Sequence, residues 1–214
     1  PLLLSLGVEP EIALASSMGL EDGYSEGRDI GTVFNYVNPH GASALPMCGG
    51  VGSQYTPTAG WAQAITYYQE VLKSKEHEGA LAVVLGGDGS VASNGFWAAL
   101  TIATTQKLPM LFYIEDNGFG ISVPSTFQIP GGNIAANLAS FGGLEVIAGD
   151  GTDPLEAVRS GEGPCLLRLT VPRLQGHSLQ DTQTYKTEDL IKSEWARDPL
   201  SAFVETLETW PRHD

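Results

Sequence analysis
The chain has 214 residues, 42% of them hydrophobic and 17% charged, with a formal net charge of −14. That balance fits one globular α/β domain and excludes a disordered chain. The acidic excess argues against a nucleic-acid partner, which needs a basic face.

No stretch reaches the roughly 18 apolar residues of a membrane-spanning helix. Leu2-Leu3-Leu4 is too short, and lacks the charged start, for a secretory signal. Cys48 and Cys165 form no CxxC pair or metal-ligand spacing and read as buried or bland thiols of a reducing compartment, with a disulfide as the alternative. The expectation is a cytoplasmic protein without nucleic-acid or membrane partners.

In chain order, Val8 to Met18 reads as a helix. Gly19 to Gly50 is glycine-rich and irregular, and a loop that long is usually functional or supported by a partner. Thr58 to Glu78 reads as a long helix with Trp61, Ala64, Ile65, Tyr68 and Leu72 on one apolar stripe, the aromatics belonging to the core. Leu81 to Leu85 is a short apolar run that reads as a buried strand, leading into Gly86-Gly87-Asp88-Gly89-Ser90. Asn94 to Lys107 is a helix closed by Leu108-Pro109, and Met110 to Ile114 a second strand leading into Glu115-Asp116-Asn117-Gly118. A helix from Asn133 to Phe141 stops at Gly142-Gly143, and Leu144 to Ala148 is a third strand. Asp153-Pro154 opens a helix, Cys165 to Val171 is a fourth strand, and Pro172 to Lys186 is a polar loop. Thr187 to Arg197 reads as a short capped helix, and Asp198-Pro199 opens a last one ending near Trp210. The division expected is a single domain: a lead segment 1–50, a core 51–171, and a loop with C-terminal helices 172–214.

The chemistry concentrates at the strand ends. A right-handed crossover sets the strands before Gly86 and Glu115 side by side and parallel. Asp88 and Asn117 then emerge together at the carboxyl edge of the sheet, where open α/β sheets bind ligands. A carboxylate and an amide carbonyl are the oxygen donors that Mg²⁺ takes beside phosphate oxygens. Glycines flanking Asp88 let backbone N–H groups approach a phosphate. The alternative is an ordinary strand-to-helix turn, since a bare Gly-Asp-Gly is common. The polar loop adds Arg173, His177 and Asp181; a lone loop histidine is more often solvated, but His177 is suited to phosphate or proton work.

Together these segments resemble the alpha subunit of the first, decarboxylating component of 2-oxo acid dehydrogenase complexes, the pyruvate, branched-chain and acetoin type. The resemblance is carried by Val51-Gly52-Ser53-Gln54 with Pro57, Gly87-Asp88-Gly89, Lys107-Leu108-Pro109, Glu115-Asp116-Asn117-Gly118-Phe119, Gly163-Pro164, Gly176-His177-Ser178 with Asp181, and Asp198-Pro199. It implies an α/β fold with a mostly parallel central sheet and helices on both faces, binding thiamine diphosphate and Mg²⁺. It implies Asp88, Asn117 and the Phe119 carbonyl as metal ligands, Gly89 and Ser90 at the diphosphate, and Gly49 and Val51 backbone at the aminopyrimidine. His177 matches the family's histidine that reaches the cofactor and is linked to acyl transfer, and Ser178 a serine that some relatives phosphorylate.

The implied partners are a beta subunit in a heterotetramer of two alpha and two beta chains, the lipoyl domain of the acyltransferase, and a 2-oxo acid. The beta chain would supply the glutamate that acts on the pyrimidine. Ala98 and Thr101 depart from the family's usual Glu and Asn. Its Tyr-Arg pair would fall ahead of Pro1, so the resemblance implies a subunit piece trimmed at both ends, prone to self-association when alone. Two other readings stand beside this one: a transketolase-like enzyme using the same cofactor, and a cofactor-free fragment inactive without its beta chain.

Overall fold
The computed structural model describes residues 2–28, 36–38, 41–45, 49–151, 163–201 and 203–204. The helix expected at Asp153-Pro154, most of the one expected after Asp198-Pro199, and Cys48 fall outside these. Contacts divide the chain into two compact units, Pro1–Gln54 and Tyr55–Asp214, and each is described by itself.

In the first unit, helix α1 (Leu2–Ser5) precedes α2 (Pro10–Ser17), which has Pro10 in its first turn, where a missing N–H costs nothing. The buried Ser16 hydroxyl accepts the Tyr24 N–H at 2.7 Å, folding the chain back over α2.

The second unit is α/β, with helices packed on a four-stranded parallel sheet. Its strands are β1 (Ala82–Gly87), β2 (Met110–Asp116), β5 (Glu145–Asp150) and β6 (Cys165–Thr170), in the order β1-β2-β6-β5. Two short antiparallel strands, β3 (Phe119–Gly120) and β4 (Val123–Pro124), form a hairpin after β2 that is too brief to carry a sequence pattern. Val84, Phe112 and Leu166 lie level across three strands and are buried in one core cluster. Burial of a side chain such as Phe112 is worth about 1.5–3 kcal/mol. Helix α3 (Tyr55–Glu70) lies on β1 and β2, α4 (Asn94–Gln106) packs against α3, and α5 (Ile134–Leu138) covers β5 and β6.

Helix α4 starts where the Ser93 hydroxyl accepts the Phe96 N–H, and stops at Lys107 in the left-handed region, φ 51°.

Helix α3 departs from expectation twice. It ends at Glu70 rather than Glu78: Val71 and Leu72 stay exposed instead of packing on the core, and Lys73 turns left-handed. Its buried side is Tyr55, Thr58, Ala59 and Ala62, whereas Trp61 and Tyr68 are 52% and 40% exposed. The small residues, not the aromatic stripe, face inward, because α3 and α4 pack closely. No helix among the described residues is long and apolar enough to cross a membrane.

Candidate functional site
The parallel pairing of β1 with β2 runs to Gly87 opposite Glu115, so Asp88 and Asp116-Asn117 leave the sheet at the same edge. After β1 the chain enters a 3-10 turn, Asp88–Ala92. Two glycines here, Gly86 at the end of β1 and Gly89 in the turn, sit where a side chain would crowd its neighbours, whereas Gly87 leaves room for one. A Cβ on Gly86 would collide with the Tyr55 hydroxyl. One on Gly89 would meet Gly120 Cα at 3.1 Å and Gln128 Oε1 at 3.2 Å. The turn is therefore pressed against the β3–β4 hairpin. Ser90 is held from within: its hydroxyl lies 2.6 Å from the Tyr55 hydroxyl and donates to the Gly87 carbonyl at 2.6 Å. Burial pushes the Tyr55 phenol up to about 12, so it remains protonated.

Among the described residues Asp88 has both carboxylate oxygens buried. It is 1% exposed, and neither carboxylate oxygen completes a hydrogen bond. Burial raises its pKa, and the charge of Asp116 adds to the rise; the nearby Asn117 and Asp88 amides and Arg173 oppose it. A buried, unpartnered carboxylate is expensive unless something positive sits against it. Asp116, by contrast, is fully engaged: Arg168 of β6 donates to its Oδ2 from Nε at 2.7 Å, and the Gly118 N–H reaches its Oδ1 at 3.0 Å. Asn117 Oδ1 accepts the Phe119 N–H at 3.0 Å, which fixes its carbonyl in a tight turn and leaves a second lone pair.

These residues suit a divalent cation with phosphate ligands: one orphaned carboxylate, one oriented amide carbonyl and a backbone carbonyl, with no competing cluster. Among the described residues no group of three or more His, Cys, Asp or Glu side chains could hold a metal. A cavity of about 380 Å³ opens beside β2 and β6, lined among others by Asn117, Phe119, Arg168, Thr170 and Arg197, but not by Asp88. Asp88 lies toward β1 instead.

The loop that carries His177 starts after β6, whose last residue Thr170 pairs with Asp116, and His177 itself is exposed. Its N–H donates to Asp181 Oδ2 at 2.7 Å. Asp181 also accepts from the Gln183 N–H and the Tyr185 hydroxyl, and these bonds, the one to His177 first, hold its carboxyl below the usual range. Arg173 donates to the Ile121 carbonyl, tying this loop to the hairpin.

The structure therefore brings Asp88, Gly89, Ser90, Asn117 and Phe119 together, and ties the loop that carries His177 to the same hairpin through Arg173. Gly49 and Val51 lie exposed in the first unit, which is described by itself. Sequence reasoning passed over Tyr55, Arg168 and Lys186. Only Arg173 carried a signal, as one cation in a loop rich in functional types.

The chain belongs to the dehydrogenase E1 component family, whose model matches residues 1–211. It is 28% identical, over 96% of its length, to the pyruvate dehydrogenase E1 component subunit alpha of Zymomonas mobilis, and covers 58% of that protein. It is 31% identical to the subunit of the same name from Porphyra purpurea, over 92% of this chain and 59% of that one. The chain thus spans little more than half the length of these relatives. Among solved structures, Campylobacter jejuni transketolase matches 73% of this chain and 26% of its own at a TM-score of 0.50 and 20% identity, a likeness of fold.

Proposed function
We propose that this chain is the cofactor-binding part of an alpha-type E1 subunit. With a beta-type chain it would decarboxylate a 2-oxo acid on thiamine diphosphate and pass the acyl group to a lipoyl group of the acyltransferase. The observation that carries the reading is Asp88, buried and unpartnered at the edge where Asn117 is held in a fixed turn. Membership of the E1 family supports it, as do the alpha-subunit names of the relatives.

In this reading Asp88, the Asn117 side chain and the Phe119 carbonyl hold Mg²⁺. Gly89 and Ser90 offer backbone N–H groups to the diphosphate, the Ser90 hydroxyl being already engaged. The bound thiamine ring supplies the electron sink that decarboxylation needs. His177 handles protons or anionic charge where the acyl group leaves, and Gly49 and Val51 meet the aminopyrimidine. The enzyme would work in the cytoplasm. The test is calorimetry with thiamine diphosphate and Mg²⁺, first on the chain alone and then with a beta-type chain. Binding is expected only in the assembly, since half the pocket comes from beta. Submicromolar binding by the chain alone contradicts that division, and turnover of sugar phosphates in place of 2-oxo acids contradicts the reaction.

A further inference from the structure
Lys186 sits at the end of the His177 loop, just before α6 (Glu188–Trp195), and its side chain is 0% exposed. The ammonium meets partners on three segments. It donates to Glu194 Oε2 on α6 at 2.6 Å and to the Arg173 carbonyl just after β6 at 3.0 Å, and it stands 5.2 Å from the centre of the Phe119 ring. The Phe119 ring is also packed by Tyr185, whose hydroxyl holds Asp181, the residue that fixes the His177 backbone. A solvated loop lysine would satisfy its charge in water. This one is buried among the segments that carry two different parts of the candidate site.

We infer that Lys186, paired with Glu194, is a positioning residue that sets the Phe119 turn and the His177 loop in one geometry, so that neither moves without the other. This rests on the proposed function only for what the two segments do, not for how they are held. Arg173 extends the same scaffold, since its guanidinium reaches the Ile121 carbonyl in the hairpin that Phe119 begins.

The experiment is amide exchange of the full chain without cofactor, comparing wild type with K186M/E194M, K186R and E194Q. The apolar pair replaces a buried ion pair with side chains of similar volume, a change that cores tolerate. In K186M/E194M, exchange should quicken at least about tenfold in both 117–121 and 173–183, with 82–87 and 110–116 unchanged. K186R, which keeps the cation, should restore protection to both. A folded K186M/E194M with both segments as protected as wild type, or with only one loosened, overturns the inference. Should the double variant fail to fold, E194Q decides: a severalfold loosening of both segments supports the coupling, and none overturns it.

Assembled with a beta-type chain, K186M/E194M should lower kcat and leave KM for the 2-oxo acid within about twofold; a raised KM at unchanged kcat counts against positioning. Exchange is read without cofactor. Absence of cofactor binding by the wild-type assembly would sink the functional reading and leave this inference standing, and the reverse holds equally.

Discussion
Two aspartates of the second unit are treated oppositely. Asp181 lies at the surface of its loop and accepts three hydrogen bonds, from the His177 and Gln183 amides and the Tyr185 hydroxyl. Asp88 is buried and completes none. Their pKa values move accordingly, Asp181 down through its bonds and Asp88 up through burial. The first carboxylate is consumed in shaping a loop. The second is shielded from water with both oxygens short of a completed hydrogen bond. In the proposed function, that difference is room for a positive ligand at Asp88.

The comparison can be broken most forcefully at the scaffold. Substituting Lys186→Met alone strands Glu194, buried at 10% side-chain exposure, without its cation. Loss of one partner of a buried pair typically costs about 3–5 kcal/mol. Chemical denaturation should show a drop of that order, and a change under about 1 kcal/mol would mean that Glu194 escapes to water.

At the other aspartate the sign reverses. Asp88→Asn removes an uncompensated buried charge, so the cofactor-free chain should gain stability, by about 1–3 kcal/mol at neutral pH. A raised carboxyl pKa in the folded state is a penalty that grows as pH rises above the ordinary 3.8 and vanishes below it. The gain from Asp88→Asn should therefore shrink as the pH approaches 3.8. A loss of stability in D88N at pH 7 would show that Asp88 is serving the fold.

Gly86→Ala tests the end of β1, two residues ahead of Asp88. Its Cβ would collide with the Tyr55 hydroxyl, and overpacking of this kind costs about 1–3 kcal/mol. The double variant G86A/Y55F should recover part of the loss, which a thermal melt can resolve. The smallest effect is at Asp181. A depressed folded pKa gives a contribution present above 3.8 and lost as pH falls through the lower folded value. Exchange in 176–183 should quicken over that acid window and stay flat above it.

Local chemistry made the core legible. A five-residue apolar run followed by glycines, then a helix and a second run, admits little but a parallel crossover, and β1, α4 and β2 form as the residues suggest. The edge position of Asp88 and Asn117 follows directly. The inner side of α3 was not legible, because hydrophobicity alone favours Trp61 and Tyr68, while close packing against α4 favours Ala59 and Ala62.

The scaffold was invisible for another reason. Asp116 and Arg168 are paired across strands far apart in sequence, and Arg173 reaches Ile121 over a similar interval. Lys186 between Tyr185 and Thr187 reads as a solvated lysine until α6 is in place to present Glu194. No periodicity marks such pairs; only the folded topology makes them neighbours.

The account depends most on Asp88 holding a cation. Thiamine diphosphate should be titrated into the chain assembled with a beta-type partner, with and without Mg²⁺, for wild type and Asp88→Ala. Wild type should bind only with Mg²⁺, and Asp88→Ala should weaken that binding on the order of 100-fold or more. Equal, Mg²⁺-dependent affinity in the two proteins would contradict the assignment.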